Sequence, residues 1–264
     1  RCAIRTAMKY LFVSDLHYVL KQFDWISAAA ENVDLVVIGG DFLDIAGTVE
    51  VRVQIVVVLK YLEQLQAKTQ VIVCSGNHDL DARNADGEKY ARWIGKANRF
   101  GVQTDGDCIE IDGTLFTICP WWDGPKTREK VGELLARDAA RSKQRWIWVY
   151  HSPPANSPTS WVGKRHIGDQ DLVSWIEQYG PDTVLTGHIH QSPFVNNGSW
   201  VDRLDGTWIF NPGRQIGPSP TRILFDSDAG TALWLSLAGA EIVNLDEPLR
   251  RPITEPTSLP TWIR

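Results

Sequence analysis

Two short stretches concentrate side chains that can do chemistry: VVIGGDFLD at residues 36–44 and VIVCSGNHDL at residues 71–80. In the second, a run of apolar and small residues ends abruptly in Asn77, His78 and Asp79. A buried strand has no use for an amide, an imidazole and a carboxylate packed at its exit. Other strand-like runs end in the same way. MKYLFVS leads to Asp15-Leu16-His17, VVIG to Gly40-Asp41, RWIWVY to His151, and TVLT to Gly187-His188-Ile189-His190. The carboxyl ends of strands are where open α/β sheets place their sites. Of the six histidines, only His166 lies away from these exits. A lone histidine there would read as a structural hydrogen bonder, but so many, accompanied by Asp and Asn, read as one constellation.

The residue types define the chemistry. Carboxylate, imidazole and amide donors without thiolate suit Mn, Fe or Zn rather than a soft-metal centre. Asp15 and His17 are two residues apart, so both point the same way from extended chain, and His188 and His190 repeat that relation. The donors are too many for one ion but suit two ions that share Asp41. Two ions about 3.5–4 Å apart clamp the attacking and leaving oxygens of a phosphoryl group.

These exits need a scaffold. Met8 to Ser14, Leu35 to Gly39 and Val71 to Cys74 read as strands, and Phe23 to Glu31, Val49 to Ala67 and Glu88 to Phe100 as helices. That β-α-β-α-β opening predicts parallel strands with helices on their faces. CIEIDG-TLFTICP reads as a hairpin turning at Asp112-Gly113. Lys126 to Ser142 and Asp169 to Gln178 read as helices, and Arg145 to Tyr150 and Thr183 to Thr186 as strands. Short β-like pieces follow, from SWVDRLDG to EIVNL, so the second half adds locally paired strands. Two sheets packed face to face with helices outside is the simplest arrangement.

The chain has 264 residues and is 43% hydrophobic, enough for one sizeable α/β core. The expected organisation is an extension or tag remnant over residues 1–7, one catalytic domain over 8–246, and a proline-rich tail over 247–264. Prolines 248, 252, 256 and 260 prevent that tail from forming one helix, so it is expected to run extended over the surface or against a partner. The C-terminal strands and tail also offer a surface for a homo-oligomer. A net charge of −5 does not favour docking on nucleic acid or an anionic membrane. No apolar run reaches the roughly 18 residues of a membrane span, and the N-terminus lacks the apolar stretch of a secretion signal. Cys2, Cys74, Cys108 and Cys119 form no CxxC pair, and the last three sit in apolar runs. They read as reduced core residues of a cytoplasmic protein.

The ordered blocks DLH, GD, GNHD, H and GHIH, from Asp15 to His190, resemble the calcineurin-like metallophosphoesterase superfamily. The resemblance implies a four-layer α/β/β/α sandwich of two mixed sheets, with a dinuclear metal site at the strand ends. It implies that Asp15, His17, Asp41 and His190 hold one metal, and that Asp41, Asn77, His151 and His188 hold the other. His78 is then no ligand but lies beside the reacting phosphate, with Asp79 orienting its ring. A hydroxide bridging the ions would attack phosphorus in line, and His78 would donate to the leaving oxygen or neutralise it.

Two divalent ions, two carboxylates and one hydroxide leave the site about one unit positive, which matches a singly charged phosphodiester. Protein serine/threonine phosphatases of this superfamily carry an arginine soon after GD, and GNHE later. Here GDFLDIAG and GNHD stand instead. The chain is thus more similar to the phosphodiesterase branch, which includes class III cyclic nucleotide phosphodiesterases, and a small-molecule phosphate ester is the expected substrate. The alternatives are an SbcD-like nuclease, a phosphomonoesterase, or a non-catalytic scaffold of the retromer type. Around the expected site, Trp121 or Trp122 is a candidate to line the pocket mouth and stack on a ring. His166, with Lys164 and Arg165, lies in a proline- and serine-rich loop that could add positive charge. Asn211 and Gly213, in an NPG turn, are candidates to shape the back wall, and Arg214 to reach substrate.

Overall fold

The computed structural model describes residues 8–263. The extension expected over residues 1–7, with Cys2, lies outside the described residues. The strands, in chain order, are β1 (Lys9–Val13), β2 (Leu35–Ile38), β3 (Gln70–Val73), β4 (Ala82–Arg83), β5 (Lys89–Tyr90), β6 (Cys108–Ile111), β7 (Thr114–Ile118), β8 (Arg145–Val149), β9 (Thr183–Leu185), β10 (Val201–Leu204), β11 (Thr207–Phe210), β12 (Arg222–Asp226), β13 (Thr231–Ser236) and β14 (Gly239–Asn244). The α-helices are α1 (Leu20–Ala29), α2 (Val51–Gln66), α3 (Pro125–Ala139) and α4 (Gln170–Tyr179).

Two six-stranded mixed sheets form, in the orders β14-β13-β12-β1-β2-β3 and β10-β11-β9-β8-β7-β6. Strand alternation sorts their side chains into three apolar layers. Leu11 and Val13 of β1 and Val36 and Ile38 of β2 face α1 and α2. Tyr10, Phe12, Leu35 and Val37 face the other way, onto Phe116, Ile147, Val149 and Phe210 of the second sheet. Leu115, Trp146, Trp148 and Val184 turn outward against α3 and α4. The result is the expected α/β/β/α order. β2 (LVVI) is buried at every position, as a central parallel strand covered on both faces must be. α2 buries Ile55, Val58, Leu59, Leu62 and Leu65, one stripe at helical spacing. The β6–β7 hairpin turns at Asp112 and Gly113, both at positive φ (48° and 76°), the geometry a two-residue hairpin favours.

The helix expected over residues 88–100 does not form. Residues 89–90 are β5, paired with β4, and only Ile94–Phe100 is helical, as a 3₁₀ turn. Tertiary partners override the local pattern. The Glu88 carboxylate accepts the N–H groups of Lys126 and Thr127 at the start of α3, and Lys89 N–H donates to Asp123 Oδ2 at 2.8 Å.

The C-terminal segment runs extended, as expected, and lies on its own chain. Leu249 and Ile253 pack against the inter-sheet core, and Ile263 is fully buried among the residues that pack on α1 and α2. Thr254 bridges to Ile242 of β14, and the Arg222 guanidinium donates to the Ile263 carbonyl. No helix among the described residues is long and apolar enough to cross a membrane.

Candidate metal centre

β1, β2, β3, β8 and β9 all point their carboxyl ends to one edge of the sandwich, because the connections of β1–β2–β3 and of β7–β8–β9 are parallel. The loops leaving those ends carry the polar blocks. Asp15, His17, Asp41 and His190 each offer a ligand atom within 4.8 Å of the others, and Asp41, His151 and His188 form a second such set. Asp41 belongs to both. Asn77 joins the second set, its Oδ1 2.8 Å from His188 Nδ1. The seven side chains expected to hold metals therefore converge, in the two groups expected of them.

The backbone is bent to achieve this. Asp15, His17, Asp41 and His188 are all left-handed, with φ of 58°, 41°, 56° and 65°. Such a conformation costs a non-glycine residue about 1–3 kcal/mol and persists where surrounding structure imposes it. The loops also approach one another more closely than side chains allow. A Cβ on Gly76 would lie 2.2 Å from Asp41 Oδ1, and one on Gly187 would lie 2.5 Å from Asp15 Oδ2. The φ of Gly76 is not left-handed, and what the glycine provides is room for Asp41.

The donor atoms fit cations. His17 Nε2 and His190 Nε2 are 3.1 Å apart, His190 Nε2 is 3.3 Å from Asp15 Oδ1, and His17 Nε2 is 3.6 Å from Asp41 Oδ2. His151 Nδ1 meets the Gly39 carbonyl at 2.6 Å, which fixes that nitrogen as the N–H. Its Nε2 is buried without a hydrogen-bond partner, 3.3 Å from Asp41 Oδ2. Imidazole and carboxylate lone pairs thus converge on common points, a geometry that a divalent ion satisfies.

Electrostatics agree. Burial disfavours charge on Asp15 and Asp41, but the hydrogen bond of His190 to Asp15 and the charge of His151 beside Asp41 outweigh it, and both carboxyls lie below their usual range. Burial also opposes charge on His151, yet the Asp41 carboxylate prevails and pushes its pKa up to about 10. Burial brings His17 down to about 4 against the pull of Asp41 and Asp15. Burial, then the charge of His151, brings His188 to about 4. Those two imidazoles are ready as neutral ligands.

Around this cluster some expectations change. His78 stands beside it, its ring 4.6 Å from that of His17, with a buried Nδ1 that has no partner. Asp79 does not orient that ring. Its Oδ2 accepts the N–H groups of Asp41 (2.8 Å) and Gly76 (2.9 Å), and its Oδ1 those of Phe42 (2.9 Å) and Leu43 (3.2 Å). Burial and the charge of Asp41 press the Asp79 pKa upward. All four N–H groups nonetheless point at its lone pairs and leave a proton no acceptor, so the ionised form fits the loop. Asp79 ties the Asp41 loop to the Asn77 loop and is a positioning residue, not a catalytic one.

The tryptophans divide. Trp121 lies over the cluster, 5.6 Å from the His151 ring and 5.3 Å from the His188 ring. Trp122 turns away: its Nε1 donates to Tyr150 Oη at 2.7 Å and to Asp169 Oδ2 at 3.1 Å, and it packs on the outer core. It is not a substrate contact. His166 is exposed, and its Nδ1 is 3.0 Å from the Ser157 carbonyl and 3.1 Å from Ser160 Oγ, closing its own loop. Asn211 is fully buried, and its amide donates to the Thr159 and Ile189 carbonyls, both at 3.0 Å, while accepting from Gly213 N–H at 2.9 Å. It builds the wall behind His190 and touches no substrate. Arg214 is half-buried, and its Nε donates to the Asp15 carbonyl at 3.1 Å.

Sequence reasoning missed Ser75 and Asp105. Ser75 N–H donates to Asp105 Oδ1 at 2.8 Å, and Ser75 Oγ accepts the N–H of Trp121 at 2.9 Å. Together they fix Trp121 against the ligand loops. TDGD around Asp105 looks like an ordinary turn, and only the pairing of Gln103 with β3 brings it to Ser75.

Comparison with known proteins accords with this geometry. A protein of Thermus thermophilus, TT1561, superposes with a TM-score of 0.57 at 14% identity, covering 91% of this chain and 100% of its own. GAP50, the anchor in the inner membrane complex of Plasmodium, superposes with a TM-score of 0.50 at 11% identity, covering 94% and 88%. The E. coli phosphoesterase Yfce aligns at 13% identity over 90% and 100%, with a TM-score of 0.43. At such identities the first two likenesses establish the fold alone. No curated protein matches the sequence. The family model described as calcineurin-like phosphoesterase matches residues 8–192, the span that carries every block of the cluster, and the chain belongs to that family.

Proposed function

We propose that the protein is a dinuclear metal-dependent phosphodiesterase acting on a small-molecule phosphodiester. Family membership gives the coarser statement, a metal-dependent phosphoesterase that hydrolyses phosphate esters. The observation that carries the finer reading is the pair of ligand sets sharing Asp41. Asp15, His17, Asp41 and His190 would hold one ion, and Asp41, Asn77, His151 and His188 the other. When bound there, two divalent ions supply Lewis acidity and a nucleophile drawn from water at neutral pH. Mn, or an Fe/Zn pair, suits these donors.

The chain's own residues do the rest. Asp79 holds the loop of Asp41 against that of Asn77, so the shared carboxylate and its neighbours keep one geometry. His78, whose ring lies beside that of His17, would meet the leaving oxygen, to which it would donate or whose charge it would offset. Trp121 excludes water on the His151 side, and Arg214 is a cation on the side of His17. Counted over two divalent ions, two carboxylates and one hydroxide, the ligand cluster alone would be about one unit positive, a charge that a singly charged diester would match. The free thiols of Cys74, Cys108 and Cys119 support a reducing, cytoplasmic setting.

The test is hydrolysis of bis-p-nitrophenyl phosphate against p-nitrophenyl phosphate, after chelation and return of Mn²⁺. Metal-dependent turnover favouring the diester is the expected result. A preference for the monoester moves the assignment to a phosphomonoesterase. Absence of turnover on either, with metal bound, points to a scaffold.

A further inference from the structure

A cavity of about 770 Å³ opens beside the metal centre. Its size is that of a small-molecule site. Trp121 belongs to both places. It lines the cavity, and its ring is 5.3 Å from that of His188, so the cavity begins one indole away from the ligands. Tyr90, Ala91, Ile94, Pro120 and Leu134 give it apolar and aromatic walls. Asp105, held by Ser75, stands at the Trp121 end.

The rim carries charge that the fold does not use. Arg92 and Lys130 line the cavity, and neither makes an ion pair or side-chain hydrogen bond among the described residues. Arg137 is different, because its guanidinium is engaged by Asp138 at 2.8 Å and by the Gly106 carbonyl. Glu133 also lines the cavity, so the rim away from Asp105, with Arg92 and Lys130 against that one carboxylate, keeps one net positive charge.

We propose that this cavity is a substrate subsite that receives the non-reacting arm of the phosphate ester, a planar aromatic group bearing an anionic substituent. The flat face lies along Trp121 and Tyr90, as aromatic surfaces favour. The anion reaches Arg92 and Lys130. Placed so, the arm leaves its ester phosphorus on the far side of Trp121, at the ligand cluster. The inference rests on the phosphoesterase reading above.

Gly95 supplies a clean block. It lines the cavity, and a Cβ there meets nothing nearer than Asn98 Oδ1 at 3.9 Å, so Gly95→Trp adds bulk at the cavity wall from a backbone position that accepts a side chain. Lys130→Glu reverses a rim charge on an exposed helical position.

The experiment has two readouts. Calorimetric titration with naphthalene-2-sulfonate, compared with the uncharged 2-naphthalenemethanol and the non-aromatic cyclohexanesulfonate, reads the subsite directly. Hydrolysis of methyl p-nitrophenyl phosphate, whose non-leaving arm is only a methyl group and carries no anionic substituent, reads the metal centre. The expected result is binding of naphthalene-2-sulfonate in preference to both comparison compounds, weakened at least tenfold by Gly95→Trp and by Lys130→Glu, with hydrolysis of the methyl ester unchanged in both variants. Binding that is absent, or insensitive to both variants, overturns the subsite while leaving the phosphoesterase reading intact if the methyl ester is still hydrolysed. Variant-sensitive binding without metal-dependent turnover of any ester overturns the reading on which the arm's role rests, and the proposal with it.

Discussion

Gly76→Ala isolates the contribution of loop spacing to the metal centre. The added Cβ would stand 2.2 Å from Asp41 Oδ1, 2.8 Å from its Cγ and 2.7 Å from its backbone nitrogen, where ordinary contact begins at 3.4 Å. The carboxylate must therefore retreat by roughly 1 Å, several times the ~0.2 Å tolerance of a metal–ligand bond. It cannot retreat with its backbone, because Asp79 binds the N–H groups of both Asp41 and Gly76 through one oxygen. Asp41 is shared between both ligand sets, so one methyl group disturbs both. We expect metal affinity to fall by at least about 100-fold, beyond the 10–100-fold typical of outer-shell changes. Crowding a packed site costs about 1–3 kcal/mol, which in a chain of this size lowers Tm by several degrees and leaves it folded. The assay combines metal content after dialysis against a buffered Mn²⁺ series, circular dichroism, and turnover of bis-p-nitrophenyl phosphate. A folded Gly76→Ala protein that holds both ions with unchanged affinity would refute the placement of Asp41 as the shared ligand.

The other expectations concern neighbouring residues. His78→Ala should retain both metals while kcat falls by about 10²–10⁴, the range of general acid assistance; loss of metal by elemental analysis would make His78 a ligand instead. Asp79→Asn replaces an acceptor with an NH₂ group facing two backbone N–H donors. Hydrogen bonds to a charged group are worth about 1.5–3 kcal/mol each, so a destabilisation of roughly 3–6 kcal/mol should appear in the urea midpoint; a shift under 1 kcal/mol would show that this carboxylate does not join the two loops. In the metal-free protein His151 has its pKa raised from 6.5 to about 10. Its stabilising effect is therefore complete below pH 6.5 and lost as pH rises through about 10. Metal needs the neutral ring, so binding at pH 8 should release close to one proton from His151, measurable by calorimetry in buffers of different ionisation enthalpy. Release of no proton would contradict that assignment.

The ligand set was legible because its signal is local: a polar block at a strand's carboxyl end needs only the strand to be recognised. Asp15, Asp41, Asn77, His151 and His188 each follow such a strand, and parallel pairing delivers those ends to one edge. The layers were legible for the same reason, since alternation in KYLFV and RWIWV separates two buried faces. What failed depended on partners distant in sequence. Asp79 has the right spacing to serve His78, and nothing local reveals four backbone donors, three of them more than 35 residues away. Residues 88–100 have helical composition, but Glu88 and Lys89 are committed to the loop and helix that begin at Asp123. Trp121 and Trp122 are indistinguishable as adjacent tryptophans until Tyr150 and Asp169 capture one indole and Ser75 fixes the backbone of the other. That division also gives the site its asymmetry. The captured indole closes the outer core, and the free one separates the metal ligands from the cavity. The β7–α3 loop and the Asp105 turn thus shape the cavity side of Trp121, while the ligand-bearing loops form its other side.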